Sequence, residues 1–331
     1  MARGPGQSVV ESSRRYRMIR ELGEGAAAQV FLVEDISTGE ERALKALKPE
    51  LSKGDTDGVG AKERFLREAA AMAKLAHPHV VRVFAYGASE RRPWLAMEYV
   101  SGPTLGRWLG ERRPSRALRL RVLAQIAEGL AHAHDHGLVH RDLKPANILV
   151  GGTEAAPVAK VADFGVVKVL DAADAITIGV KMIGTPRYMS PEQCMGHEVD
   201  ARSDVYALGV VAWGILAGRP LWKELGDQLR LLEAHLKQPP PPVPEASPEL
   251  DAVVQRALAK KPHERWPDAA SFAAALREQA RRHGDAPPVK EEEGQRDYAV
   301  WFLAGSTSLA LALGLGTVIG VVLAVLLVIF G

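Results

Sequence analysis

The stretch that decides the fold is His140-Arg141-Asp142-Leu143-Lys144-Pro145-Ala146-Asn147-Ile148-Leu149-Val150. A carboxylate, an ammonium and an amide fall between positions 142 and 147, and an apolar run follows. Downstream stand Ala162-Asp163-Phe164-Gly165 and then Gly184-Thr185-Pro186-Arg187-Tyr188-Met189-Ser190-Pro191-Glu192. Upstream stand Gly23-Glu24-Gly25-Ala26-Ala27-Ala28-Gln29-Val30 and Arg42-Ala43-Leu44-Lys45.

Pattern divides the chain on either side of Ser101. Before it, segments 16–23, 28–36, 41–48, 80–87 and 94–100 are β-branched or alternating, with turn signals such as Ser37-Thr38-Gly39 between them. One helix interrupts them at 61–77, where Phe65, Ala69 and Met72 recur at helical steps until His77-Pro78 stops the run. After Ser101 the pattern is helical, most clearly at 116–137 and 204–218. The expected fold class is therefore α+β, with a small β-rich lobe (about 16–100) joined to a larger helical lobe (about 101–282). Residues 1–15 read as a tail.

Composition narrows the function. In 331 residues, Lys plus Arg number 42 and Asp plus Glu 40, so no basic excess exists for a nucleic-acid partner. One cysteine, Cys194, excludes an intrachain disulfide and a cysteine-built zinc site. His132, His134 and His136 invite a metal reading, but only residues four apart share a helix face, and helix packing explains them better. Pro239–Pro242 reads as an extended loop entering the last helices rather than a polyproline ligand.

Glycines between two strands let backbone amides approach phosphate oxygens, although Ala28 closes the loop where G-x-G-x-x-G would have glycine. A lysine ending an apolar strand beside such a loop can pair with phosphates if a carboxylate holds it. Glu63 and Glu68 both stand on the following helix; spacing to His77-Pro78 favours Glu68.

With all five motifs in this order, the sequence resembles the protein kinase family, and its serine/threonine branch in particular, over about residues 16–280. The layout is similar to that of bacterial receptor-type (Hanks-type) members. The resemblance implies a bilobal fold and ATP-dependent phosphoryl transfer to Ser or Thr of protein substrates. It implies Mg²⁺, with Mn²⁺ as an alternative, held by Asn147 and Asp163. Asp142 would take the proton of the attacking hydroxyl, and Lys144 would stand against the γ-phosphate. Lys45 would pair with phosphates and with Glu68. Thr185 would hydrogen-bond the catalytic loop. Gly23 to Val30 would cover the triphosphate; Leu22, Val30, Ala43 and Leu149 would sandwich adenine. Met97 would be the gatekeeper, with Glu98 and Val100 offering main-chain groups. Asp204 would brace the catalytic loop, and Glu192 with Arg265 would form a structural ion pair. Arg141 marks kinases ordered by a loop phosphate, and Thr177 is the only hydroxyl residue between Gly165 and Gly184. Two rivals are a catalytically weak pseudokinase serving as scaffold and a small-molecule kinase. Lys45, Asp142, Asn147 and Asp163 argue against the first; Lys144 and the 184–192 segment argue against the second.

From Ala299 to Phe330 no residue is charged. A bilayer core of about 30 Å needs about 20 apolar residues, so this region reads as one transmembrane helix. Tyr298 and Trp301 suit an interfacial belt, and Arg277, Arg281, Arg282, Lys290 and Arg296 precede it. The positive-inside rule then places the kinase domain in the cytoplasm of a single-pass cell-membrane protein with lipid as a partner. Residues 283–298 read as a flexible linker. Gly316 and Gly320 form a G-x-x-x-G pair through which a homodimer would form. The N-terminus has no apolar stretch of the signal-peptide kind.

Overall fold

The computed structural model describes residues 15–25, 28–48, 58–89, 92–164 and 186–283. The first lobe is a five-stranded antiparallel sheet: β1 (Tyr16–Glu24), β2 (Ala28–Asp35), β3 (Glu40–Leu47), β4 (Val83–Ser89) and β5 (Arg92–Glu98), in spatial order β1-β2-β3-β5-β4. Strand alternation sorts its side chains. Ala43 and Leu47 of β3 join the large core that runs into the second lobe, while Leu44 and Ala46 join a separate small cluster with Tyr16, Phe31, Val33 and Ala96. Helix α1 (Gly58–Met72) packs Phe65, Ala69 and Met72 into the large core.

Helix α1 is shorter at its end than the sequence pattern suggests. After Met72 the bonds tighten: Lys74 N–H donates to Ala71 and Leu75 N–H to Met72. The turn that follows is tied down by imidazoles. His77 Nδ1 accepts from His79 N–H at 3.2 Å, and His132 Nε2 accepts from Ala76 N–H at 3.3 Å. Gly129 allows this approach, since an added Cβ would collide with the His79 carbonyl oxygen.

The second lobe contains α2 (Leu105–Arg112), α3 (Arg116–Asp135), the hairpin β6 (Ile148–Gly152) and β7 (Pro157–Val161), α4 (Pro191–Cys194), α5 (Ala201–Ala217), α6 (Gln228–Lys237), α7 (Pro248–Ala257) and α8 (Ala269–His283). Helix α5 is buried from Ser203 to Ala217, capped by Asp200 at its start and by Gly218 at φ 71° at its end. It is hydrophobic all round because α3, α7 and α8 surround it. The proline segment lies on this lobe: the Pro241 carbonyl accepts from Trp213 Nε1 at 2.8 Å and from Gln255 Nε2 at 2.9 Å. No helix among the described residues is long and apolar enough to cross a membrane; the 283–298 linker beyond His283 and the 299–330 region lie outside them.

One buried ion pair fastens α4 to the lobe. Arg265 is fully buried and gives both terminal nitrogens to Glu192 at 2.7 Å. Burial alone would raise the Glu192 carboxyl. The bonds from Arg265 and from the Ser203 hydroxyl outweigh it and hold the carboxyl at about 2, below its ordinary 4.5. A depressed folded value means that the unfolded chain takes up the proton first. This contribution is therefore present above about pH 4.5 and is lost as pH falls toward 2. Arg265→Ala leaves the Glu192 charge buried without its partner. It is expected to cost about 3–5 kcal/mol in denaturant unfolding at pH 7 and much less near pH 2. An equal cost at both pH values would show that the pair is not the cause.

Candidate active site

The site lies where the hairpin β6–β7 and the turn before it meet the sheet. Asp204, on α5 and only 1% exposed, accepts N–H bonds from His140 at 2.7 Å and Arg141 at 2.9 Å, and takes His134 Nε2 at 2.8 Å. His140 is fully buried. Its Nδ1 accepts from Asp142 N–H at 3.2 Å, so its Nε2 carries the proton and donates to the Ala162 carbonyl at 2.9 Å. Its ring meets that of Phe164 with centroids 4.8 Å apart. These bonds join the stretches at 140–142 and 162–164 into one unit.

The polar groups converge on Asp142. Lys144 Nζ donates to its carboxylate at 2.9 Å. The Asn147 amide nitrogen donates to its carbonyl at 2.8 Å and to its carboxylate at 3.3 Å. With that nitrogen turned to the loop, the Asn147 amide oxygen faces the other way. Asp163 sits in left-handed backbone at φ 58° and accepts from Lys45 Nζ at 2.7 Å. Burial would raise the Asp163 carboxyl, but the adjoining Lys45 ammonium outweighs it and the net direction is down. A carboxylate and an amide oxygen suit a hard divalent cation, so Asp163 and Asn147 fit the Mg²⁺ role.

Lys45 reaches this point because of strand register. It stands opposite Val30 on β2 and shares a face with Ala43. Ala43 and Met97 lie in the core that spans the lobes, and Leu22, Val30, Val100 and Leu149 pack partly buried against it; these are the side chains that the resemblance assigns to an apolar adenine slot. At its edge, Glu98 N–H is spent on the Arg82 carbonyl at 2.8 Å, so its carbonyl is the group it can offer. The Val100 carbonyl accepts from Gly102 N–H at 2.8 Å, so it can offer its N–H. The Glu98 side chain bonds Lys160 at 3.0 Å. Gly23, Glu24 and Gly25 are exposed, and Gly25 N–H donates to the Ala28 carbonyl at 2.8 Å. Gln29 follows on β2, opposite Glu24. Glu68 is half-buried on α1 next to Phe65 and Ala69. Ala26, Ala27, Thr177 and Thr185 lie outside the described residues.

Two connections are invisible in the motifs. His134 reads as packing, yet it shares Asp204 with the catalytic loop. The lysine on β3 meets Asp163, a partner 118 positions away. Cys194 is half-buried, and burial pushes its thiol up to about 11.

The protein kinase domain model matches residues 16–277. The chain belongs to the protein kinase family. The serine/threonine-protein kinase Pkn1 of Myxococcus xanthus is 41% identical over 265 residues, 79% of this chain and 38% of Pkn1. The serine/threonine-protein kinase PknB of Mycolicibacterium smegmatis is 38% identical over 291 residues, 84% of this chain and 45% of PknB. The chain thus spans less than half the length of these relatives. The crystal structure of the Mycobacterium tuberculosis PknI kinase domain superposes with a TM-score of 0.62 at 30% identity, covering 84% of this chain and all of that domain. The kinase domain is of the bacterial serine/threonine type, and the bilobal architecture read from the pattern is the one found.

Asp163→Asn keeps the shape but removes the charge that Lys45 meets and that a divalent cation would need. It is expected to weaken Mg²⁺-dependent ATP binding at least tenfold by calorimetry, with little change in Mg²⁺-free binding. Equal loss with and without Mg²⁺ would contradict the metal role.

Proposed function

We propose that this protein is a membrane-anchored serine/threonine protein kinase that transfers the γ-phosphoryl group of ATP to protein hydroxyls. The observation that carries the reading is the convergence of Lys144 and Asn147 on Asp142, with the Lys45–Asp163 bond joining the two lobes, within a protein kinase fold. Phosphoryl transfer asks a protein for positioning and charge neutralisation rather than covalent chemistry. ATP with Mg²⁺ supplies the electrophilic phosphorus and screens its charge. The chain's own residues do the rest. Leu22, Val30, Ala43, Met97 and Leu149 hold the adenine, with the Glu98 carbonyl and Val100 N–H at its edge. Lys45 orients phosphate oxygens. Asn147 and Asp163 hold the cation. Asp142 orients the substrate hydroxyl and accepts its proton late in the transfer. Lys144, bonded to Asp142, gives a positive charge where the transferred group passes.

Residues 299–330 supply the anchor in this reading, with the kinase domain in the cytoplasm and lipid around the helix. Pairing through Gly316 and Gly320 raises the effective concentration of one kinase domain for another. Thr177 is then the autophosphorylation site, and Arg141 stands in the catalytic loop to meet its phosphate.

Asp142→Asn is expected to lower kcat about 10²–10⁴-fold on a basic protein substrate while the ATP KM changes only a few-fold. Near-wild-type turnover would assign the base elsewhere. Gly316→Leu with Gly320→Leu is expected to lower Thr177 phosphorylation in cells, read by mass spectrometry; unchanged occupancy would remove the dimer from the account.

A further inference from the structure

The peptide unit joining Arg141 to Asp142 has both polar ends pinned. Its N–H, which belongs to Asp142, donates to His140 Nδ1 at 3.2 Å. Its carbonyl, which belongs to Arg141, accepts from Gln193 Nε2 at 2.8 Å. Arg141 itself lies at φ 62°, a left-handed conformation that a side-chain-bearing residue keeps only where its surroundings fix it. Its own N–H is held by Asp204 at 2.9 Å. Gln193 is therefore the contact that holds the carbonyl of the residue preceding the proposed base.

Gln193 is itself fixed from the other side. Ser190 caps α4, and the two residues form a reciprocal capping box: Gln193 N–H donates to Ser190 Oγ, and Ser190 N–H donates to Gln193 Oε1 at 3.0 Å. Only one orientation of the amide serves both neighbours. The oxygen must face the Ser190 N–H and the nitrogen must face the Arg141 carbonyl. The adjoining Glu192 is locked by Arg265 and Ser203, so the start of α4 is rigid. Pro186–Tyr188, just before it, belongs to the 184–192 motif named in the sequence.

We propose that Gln193 is a positioning residue for Asp142: it ties the start of α4 to the catalytic loop and sets the orientation of the Arg141–Asp142 peptide. The inference rests on the kinase reading with Asp142 as base. It goes beyond that reading because it gives a residue outside the five motifs a separable effect on turnover.

The two bonds of the side chain can be separated by one substitution. Gln193→Glu keeps an oxygen for Ser190 N–H, and Glu serves a capping box as well as Gln does. Its second oxygen, however, faces the Arg141 carbonyl without a proton. Gln193→Ala loses both bonds. The full chain in lipid nanodiscs, a basic protein substrate and ATP with Mg²⁺ provide the assay. Gln193→Glu is expected to lower kcat about ten- to hundredfold at pH 8, with the ATP KM within about twofold and the thermal midpoint close to wild type. As pH falls toward 6, its kcat relative to wild type is expected to rise, because a protonated carboxyl at 193 can again donate to the Arg141 carbonyl. Gln193→Ala is expected to lose turnover and melting temperature together, with no such recovery. Wild-type kcat for Gln193→Glu at pH 8 would overturn the inference. So would a loss with no pH recovery that matches its fall in melting temperature. Failure of the kinase reading looks different: wild type would itself transfer no phosphate, or would turn over as fast as Asp142→Asn. Either result would remove this inference with it.

Discussion

A carboxylate in the middle of the second lobe controls what the catalytic loop can be. Asp204 is nearly inaccessible and would be costly to bury without partners. It finds them in the N–H groups of His140 and Arg141 and in His134. Hydrogen bonds to a charged group are worth about 1.5–3 kcal/mol each, roughly twice a neutral one. The loop is thus held to α5 by charge-assisted bonds that would be costly to leave unmade in the interior. Everything that faces the nucleotide site hangs from these bonds. His140 passes the constraint to Ala162 and Phe164 through its Nε2 proton and its ring, and Asp163 lies between those two residues.

The parts of this arrangement that were legible in the sequence are those where a side chain's chemistry and its local spacing coincide. Lys45 could be read as a candidate site residue because it ends an apolar alternating strand; register sets it opposite Val30. Asp142, Lys144 and Asn147 could be read together because the short 3-10 turn at Pro145–Asn147 folds Asn147 back onto Asp142. The pattern failed where tertiary contacts decide. Helix α1 was expected to run to His77, but the backbone leaves the helix after Met72. There, imidazoles offer Ala76 and His79 N–H groups partners outside the helix. Nothing in a helical periodicity says which of three histidines meets an aspartate 70 positions away, so the role of His134 was invisible. Gln193 was hidden for a related reason, since a glutamine three residues after a serine reads only as a helix cap.

Two residues beside the chemistry adopt left-handed backbone, Arg141 and Asp163. Neither is glycine, so each conformation persists only because its surroundings over-determine it. For Arg141 the restraints are Asp204 on one side and Gln193 on the other. For Asp163 they are Lys45 and the buried neighbours Ala162 and Phe164. Beside these two positions stand the contacts of the site: the Asp142 carboxylate meets Lys144 and Asn147, and the Asp163 carboxylate meets Lys45 of β3.

The same geometry makes the site an interlobe property. Lys45 belongs to the sheet of the first lobe, and Asp163 follows the hairpin of the second; their 2.7 Å bond crosses between them. The apolar slot is also built from both, with Val30 and Ala43 from the sheet and Leu149 from β6. A displacement of one lobe against the other by even 1 Å would open that bond and the slot together, and misplacements of that size cost catalysis about 10²-fold. Helix α1 packs on β4 and β5, and the turn after it is tied through His132 to α3 and through His79 Nδ1 to the Ala159 carbonyl of β7 at 2.9 Å. The turn after α1 is thus a further point among the described residues, besides the Lys45–Asp163 bond and the Glu98–Lys160 pair, at which polar contacts fix the relation of the lobes. The turn also reaches the approach to Asp163, since Val161, two residues before it, donates its N–H to the His79 carbonyl at 2.9 Å.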